Sequence, residues 1–323
     1  MLKSAFKLKC IYKSLPISNV LNFRLLSSNA SDFFRTKLSE LKNENISEPE
    51  NSLELIFAHV LKKKLLREVR GENLKKIELT NEQIQDINEK VLTRLSHMPI
   101  QFILKEWEFR DLTLTMKLPI FIPRPETEEL VELITQQVDD RKDCEILEVG
   151  IGSGAISLAL LNELPNVKHI TAIDRSKAAC ELALENAKKF NFTDRIRIFK
   201  HLLDSDTLPE IIAPCGKLFD IIVSNPPYVP TKDLLKLEPE IYLYENIKAL
   251  DGGIDGLDMI KLLLALAAKY LKSEGHLWIE VDSRHPEIIK KIVENNYEQW
   301  RLNYVACYKD IFKKDRFVEV QKL

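Results

Sequence analysis

A chain of 323 residues that is 45% hydrophobic and 30% charged, with a formal net charge of −2, has the composition of a globular protein with room for two domains. No apolar run approaches the roughly 20 residues that a membrane helix needs, so a membrane-spanning chain is excluded and no membrane partner is expected. The five cysteines, Cys10, Cys144, Cys180, Cys215 and Cys307, form no CxxC or Cys/His cluster, so neither a disulfide framework nor a metal site is expected.

Residues 1–30 carry Lys3, Lys7, Lys9, Lys13 and Arg24 and no acid, with five serines and scattered apolar residues between the charges. That is the composition of a mitochondrial targeting segment, although a disordered basic tail shares it. Arg24-Leu25-Leu26-Ser27-Ser28 reads as its processing site, which places the mature protein in the mitochondrial matrix. Without the leader, 42 basic residues face 49 acidic ones, a net charge of −7, so no direct nucleic-acid partner is expected.

From residue 31 to 105 the apolar residues recur at spacings of three and four: Phe34, Leu38, Leu41; Leu53, Ile56, Leu61; Ile84, Ile87, Val91, Leu95. This predicts a small helical domain with a polar break over Asn43–Asn51. Short alternating stretches at 106–122 predict a hairpin linking two domains. Pro125 and the acids Glu126, Glu128 and Glu129 then open a helix.

Beyond Cys144 strands and helices alternate, which predicts an α/β fold: an open, mainly parallel sheet with helices on both faces, closed at one edge by an antiparallel hairpin formed from the last two strands. Such sheets bind ligands at the carboxyl ends of their strands. Gly150, Ile151, Gly152, Ser153 and Gly154 stand at the first such end. Glycines let the chain turn sharply and let a ligand approach the backbone, though simple strand-to-helix turns use them too. The third glycine comes two residues after the second, so the dinucleotide spacing GxGxxG is not met. Asp174 closes the second strand, where a carboxylate can accept hydrogen bonds from the ribose of an adenosyl group; the alternative is an ordinary surface aspartate. Read this way, Asp174 has no buried partner of its own.

Asn225-Pro226-Pro227-Tyr228 follows the apolar strand Phe219–Ser224. An amide or exocyclic amino nitrogen is a weak nucleophile because its lone pair is delocalised. Asn225 can accept one of its N–H groups through the side-chain oxygen and the Pro226 carbonyl can accept the other, which aims the nitrogen at a methyl donor. The prolines stiffen that backbone, and Tyr228 offers an aromatic face on which its hydroxyl has no assigned task. No general base is required, since the nitrogen acidifies as it gains the methyl group. Asn225, Pro226 and Tyr228 are therefore the candidate catalytic residues and Asn225–Tyr228 the candidate substrate site; the plainer alternative is a strand-ending turn. The loop Leu250–Gly256 either lines the substrate side or is a flexible connection.

With these residues in place the chain resembles the HemK/PrmC family of release factor protein-(glutamine-N5) methyltransferases, in particular its mitochondrial members. The resemblance spans residues 31–323. It rests on His97-Met98-Pro99-Ile100-Gln101 with Trp107, on Phe121-Ile122-Pro123-Arg124-Pro125-Glu126-Thr127-Glu128, on the glycine turn, on the Asn225–Tyr228 motif and on Gly252–Leu257. It implies a Rossmann-like class I methyltransferase domain at 123–323 behind a helical substrate-recognition domain. It also implies S-adenosylmethionine as donor, held by Gly150, Ile151, Gly152, Ser153, Gly154, Asp174 and Asn225. The implied acceptor is the glutamine of a Gly-Gly-Gln motif in a mitochondrial class I peptide-chain release factor. The protein is expected to be a monomer. One departure is His201-Leu202-Leu203 after the third strand, where family members often carry an acidic-aromatic pair. The competing readings are an adenine-N6 methyltransferase of DNA or RNA, which the acidic mature chain disfavours, and a non-catalytic donor-binding assembly factor, which the intact Asn225 disfavours.

Overall fold

The computed structural model describes residues 28–138, 143–210 and 212–323. The described residues divide into two compact units, one reaching to Ser96 and one starting at His97. Most of the basic leader, residues 1–27, lies outside the described residues, as does its processing site up to Ser27.

The first unit holds α1 (Ala30–Asn43), α2 (Pro49–Val60), the single turn α3 (Glu72–Lys75) and α4 (Asn81–Leu95). The polar break is shorter than the composition suggests, because Pro49 stands at the first position of α2, where its missing N–H costs nothing. Asn29 caps α1 by accepting from the Ser31 amide, and Thr80 and Gln83 form a capping box at the start of α4. Phe33, Phe34, Leu53, Ile56, Phe57, Ile87 and Val91 are buried. Arg94 is buried among them and donates to Ser52 Oγ and to the Ser47 carbonyl. Ala30 is fully buried too, so the helical unit already includes Ser28–Ala30, the last residues of the segment read as a leader.

The second unit begins with α5 (Ile100–Leu104) and a hairpin of β1 (Glu106–Phe109) and β2 (Leu112–Thr115). The hairpin is more than a linker: Phe109, Leu112 and Leu114 are buried in this unit's core. Ile120 and Ile122 are buried as expected but belong to no strand. There follow α6 (Pro125–Gln137), β3 (Cys144–Val149), α7 (Ala155–Glu163), β4 (Val167–Asp174), α8 (Lys177–Lys189), β5 (Ile196–Lys200) and β6 (Phe219–Ser224). The remainder is α9 (Pro239–Tyr244), α10 (Asp258–Tyr270), β7 (Leu271–Glu280), α11 (Pro286–Asn295), α12 (Tyr297–Trp300), β8 (Leu302–Lys309) and β9 (Asp315–Lys322).

The seven-stranded sheet runs β5-β4-β3-β6-β7-β9-β8, parallel except for the two pairs that involve β9. Successive residues of a strand point to opposite faces. Ile146, Ile170, Ala172, Ile221, Val223 and Trp278 accordingly join one apolar layer, and Leu147, Val149, Ile173, Ile222, Leu277 and Ile279 the other. A sheet covered on both faces explains why its strands read as nearly continuous apolar runs. The strand order reverses between β4-β3 and β3-β6, and at that switch point the carboxyl ends of β3 and β6 open a crevice. Among the described residues no helix is long and apolar enough to cross a membrane.

Candidate active site

At the end of β3 the backbone takes positive φ at Gly150 (84°), Gly152 (56°) and Gly154 (89°), a conformation that residues with a Cβ rarely adopt. The amides of Gly150 and Ile151 donate to the Ile173 carbonyl at 2.8 and 3.2 Å, which pins the turn to the end of β4. Asp174 does more than face a ligand. Its Oδ2 accepts from the Gly152 amide (3.1 Å) and its Oδ1 from the Ser176 amide (2.7 Å), so the carboxylate ties the glycine turn to the start of α8. Burial raises its pKa while the two amide bonds lower it, with a net upward shift. Each oxygen keeps a second lone pair for a ligand. Gly154 stands apart from the other glycines. It does not line the cavity, and a Cβ there would lie 3.0 Å from Leu158 Cδ1 and 3.4 Å from Ala183 Cβ, so its role is close helix packing.

At the end of β6, Ser224 donates to the Val149 carbonyl (2.7 Å) and holds the Asn225–Tyr228 segment beside the glycine turn. The loop Leu250–Gly256 lines the cavity only through its first residue, Leu250, and the rest of it is a buttress, not a loose connection. Val229 donates to the Leu250 carbonyl and Gly252 to the Val229 carbonyl, both at 2.9 Å. A Cβ on Gly252 would meet the Pro227 carbonyl oxygen at 2.7 Å, and one on Gly256 the Tyr228 carbonyl oxygen at 2.4 Å. Only glycine permits so close an approach to the motif's backbone.

The side chains of this segment are fixed from below. Asn225 Nδ2 donates to Thr127 Oγ1 at 3.1 Å, and Tyr228 donates its hydroxyl to Glu280 Oε1 at 3.0 Å. Burial and the neighbouring Glu280 raise the Tyr228 pKa, so its hydroxyl stays protonated. With one N–H of its NH2 group turned to Thr127, Asn225 has Oδ1 left as its acceptor for a ligand.

These parts enclose a cavity of about 280 Å3 lined by Gly150, Ile151, Gly152, Ser153, Asp174, Asn225, Pro226, Pro227 and Tyr228, every residue expected from sequence except Gly154. Further lining residues carry little signal in the sequence. Glu148 precedes the turn, is 1% exposed and accepts from the Ser157 amide and hydroxyl; burial pushes its carboxyl up to about 8. Thr127 lies inside the proline-rich segment around Arg124, whose spelling hints at importance without assigning a task. Arg124 itself pairs with the buried Glu245, which also accepts from the Ile122 amide, and these bonds fasten the segment beside the cavity. His201, Leu202 and Leu203 line the cavity, with the His201 amide donating to the Asp174 carbonyl at 2.9 Å. The exposed Asp204 does not.

Comparison with known proteins decides the family. A methyltransferase small domain matches residues 126–239 and a PrmC N-terminal domain matches residues 35–104. The human MTRF1L release factor glutamine methyltransferase is 43% identical over 288 residues, covering 87% of this chain and 84% of the human protein. The chain belongs to the release factor glutamine methyltransferase family. Family members from Fusobacterium nucleatum and Thermodesulfovibrio yellowstonii are each 33% identical, over 90% and 88% of this chain and 78% and 97% of their own lengths.

As a release factor glutamine methyltransferase, the protein is an enzyme that uses S-adenosylmethionine. The cavity fits that group: glycines without side chains, apolar walls at Ile151, Leu202 and Leu203, and the carboxylate of Asp174 with lone pairs to spare. When bound, S-adenosylmethionine supplies an electrophilic methyl group.

Proposed function

We propose that this site methylates the side-chain N5 of the glutamine in the Gly-Gly-Gln motif of a mitochondrial class I release factor, and so acts in translation termination in the matrix. The orientation of Asn225 carries the reading. Its Nδ2 is committed to Thr127, so Oδ1 and the Pro226 carbonyl are two acceptors suited to the two N–H groups of a primary amide. Two acceptors hold the nitrogen with its lone pair aimed at the donor, and they strengthen as the nitrogen becomes cationic. Asn225, Pro226 and Tyr228 are the catalytic group in this reading, and Pro227 completes the substrate site. Gly150, Ile151, Gly152, Ser153 and Asp174 hold the donor, with Asp174 receiving the ribose hydroxyls.

The helical unit is the part that recognises the release factor, residues before Ser28 direct the chain to mitochondria, and the enzyme acts as a monomer. The 43% identity to the human MTRF1L release factor glutamine methyltransferase supports a release factor as acceptor, and the acid-free basic leader supports the mitochondrial setting. The deciding experiment incubates the protein with methyl-labelled donor and three acceptors: a mitochondrial class I release factor, the same factor with its motif glutamine replaced by alanine, and duplex DNA. Label is expected on the first alone. Label on the glutamine-free factor or on DNA overturns the assignment.

A further inference from the structure

Glu280 ends β7 and is 1% exposed; Thr127 sits in the first turn of α6 and is 3% exposed. Glu280 Oε2 accepts from the Thr127 hydroxyl at 2.8 Å, Oε1 accepts from Tyr228, and Thr127 Oγ1 in turn accepts from Asn225 Nδ2. We propose that Glu280 and Thr127 are positioning residues that determine which end of the Asn225 amide faces the acceptor nitrogen. The proposal rests on the reading of Asn225 as the residue that receives an N–H from that acceptor.

The polarity follows from counting protons. A carboxylate has none to give, so the Thr127 hydroxyl must donate to Glu280. Its oxygen can then only accept, and it matches the NH2 of Asn225 but not Oδ1. Flipping the Asn225 amide would set two oxygens against each other in a buried place and would leave a lone pair and an N–H unsatisfied. Oδ1 is thereby presented to the cavity. Without this chain of bonds an amide has no reason to prefer one orientation, and the flipped form would offer N–H groups to a nitrogen that needs an oxygen. Burial, helped by the charge of Glu126, gives the Glu280 pKa a net upward shift, which the bonds from Thr127 and Tyr228 and the charge of Arg316 oppose; this polarity is that of the ionised carboxylate. The same carboxylate holds Tyr228, so one buried group orients both ends of the Asn225–Tyr228 segment.

The test uses the full chain with Thr127→Val, which keeps the side-chain shape and deletes the hydroxyl, with Thr127→Ser, which restores it, and with Glu280→Gln, whose NH2 can donate to Thr127 and free the threonine proton to turn toward Asn225. Thr127→Val and Glu280→Gln are expected to lower kcat on release factor about tenfold to a hundredfold with donor affinity unchanged, and Thr127→Ser to recover most of it. In an Asn225→Ala background Thr127→Val should not lower kcat further, because it acts through Asn225, whereas Glu280→Gln keeps only the part of its effect that runs through Tyr228. A second readout needs no acceptor. The side-chain amide NMR signal of Asn225, identified by its loss in Asn225→Ala, should move in Thr127→Val and return toward its original position in Thr127→Ser. Normal turnover in Thr127→Val, effects that add fully to Asn225→Ala, or an amide signal unmoved by Thr127→Val each overturn the proposal. If the unaltered protein labels no release factor, the assigned substrate is wrong, and the amide signal still judges the relay on its own.

Discussion

In the proposed reading Asp174 has two tasks, holding the glycine turn and receiving the ribose, and its replacement should reveal both. Asp174→Ala removes the ribose acceptor and also strands the Gly152 and Ser176 amides, so donor affinity should fall about ten- to a hundredfold, roughly 1–3 kcal/mol, and the melting temperature should fall with it. Calorimetry that found unchanged affinity would show that Asp174 serves only the turn. Asn225→Ala should cost about a hundred- to a thousandfold in kcat, because in the proposed reading the lost oxygen is aimed at developing charge. Tyr228→Phe, which looks harmless in the sequence, should be more costly than the loss of an idle hydroxyl, since it takes away one of the two donors to buried Glu280. Glu148 gives a pH dependence. Its folded pKa, about 8, lies above that of an exposed carboxyl, so the folded state holds the proton more tightly. The stability this contributes is complete below the unfolded pKa and is lost as pH rises through about 8. Melting curves without donor should therefore drop between pH 6 and pH 8.5, and Glu148→Gln should flatten that drop; equal slopes in both proteins would argue against the shift.

The elements were legible where their signal is local. Apolar period, the Pro125 start with its acids, and glycines at strand ends made the alternation of strands and helices in the second unit visible. The short helix Pro239–Tyr244 passed unnoticed because it buries none of its residues and so shows no apolar stripe. What the sequence could not display is convergence: Thr127, Asn225 and Glu280 meet only because the first turn of α6 and the carboxyl ends of β6 and β7 come to one place, and no spacing announces that. The loop at Gly252–Gly256 is an intermediate case. Its glycines are visible, but their reason, contact with the Pro227 and Tyr228 carbonyls, belongs to the folded chain. Gly256→Ala combines a positive φ of 78° with that contact, so it should displace the Asn225–Tyr228 backbone. A destabilisation of about 1–3 kcal/mol is expected, with a drop in kcat larger than the change in donor affinity. Denaturant unfolding beside single-turnover rates would check this, and retention of both would mean the buttress is softer than its geometry implies.

At the scale of the whole molecule, every residue that lines the cavity belongs to the second unit, which has its own core. A chain of residues 97–323 should thus bind S-adenosylmethionine like the full-length protein while transferring poorly to release factor. Equal transfer by the two would remove any recognition role from residues 28–96. Comparing the two proteins by donor calorimetry first, and only then by methyl transfer, separates failure to fold from failure to recognise.

The pair of accepting oxygens proposed for Asn225 and Pro226 has a consequence for chemical damage to the proposed glutamine acceptor. If the motif glutamine deamidates to glutamate, the side chain brings two oxygens of its own and no proton at neutral pH, and a rigid pocket that only accepts cannot adjust to it. Such a damaged factor would be turned away at the binding step, not merely left unreacted. It would leave the enzyme open to intact factor, so a deamidated population should be a weak competitor even in large excess.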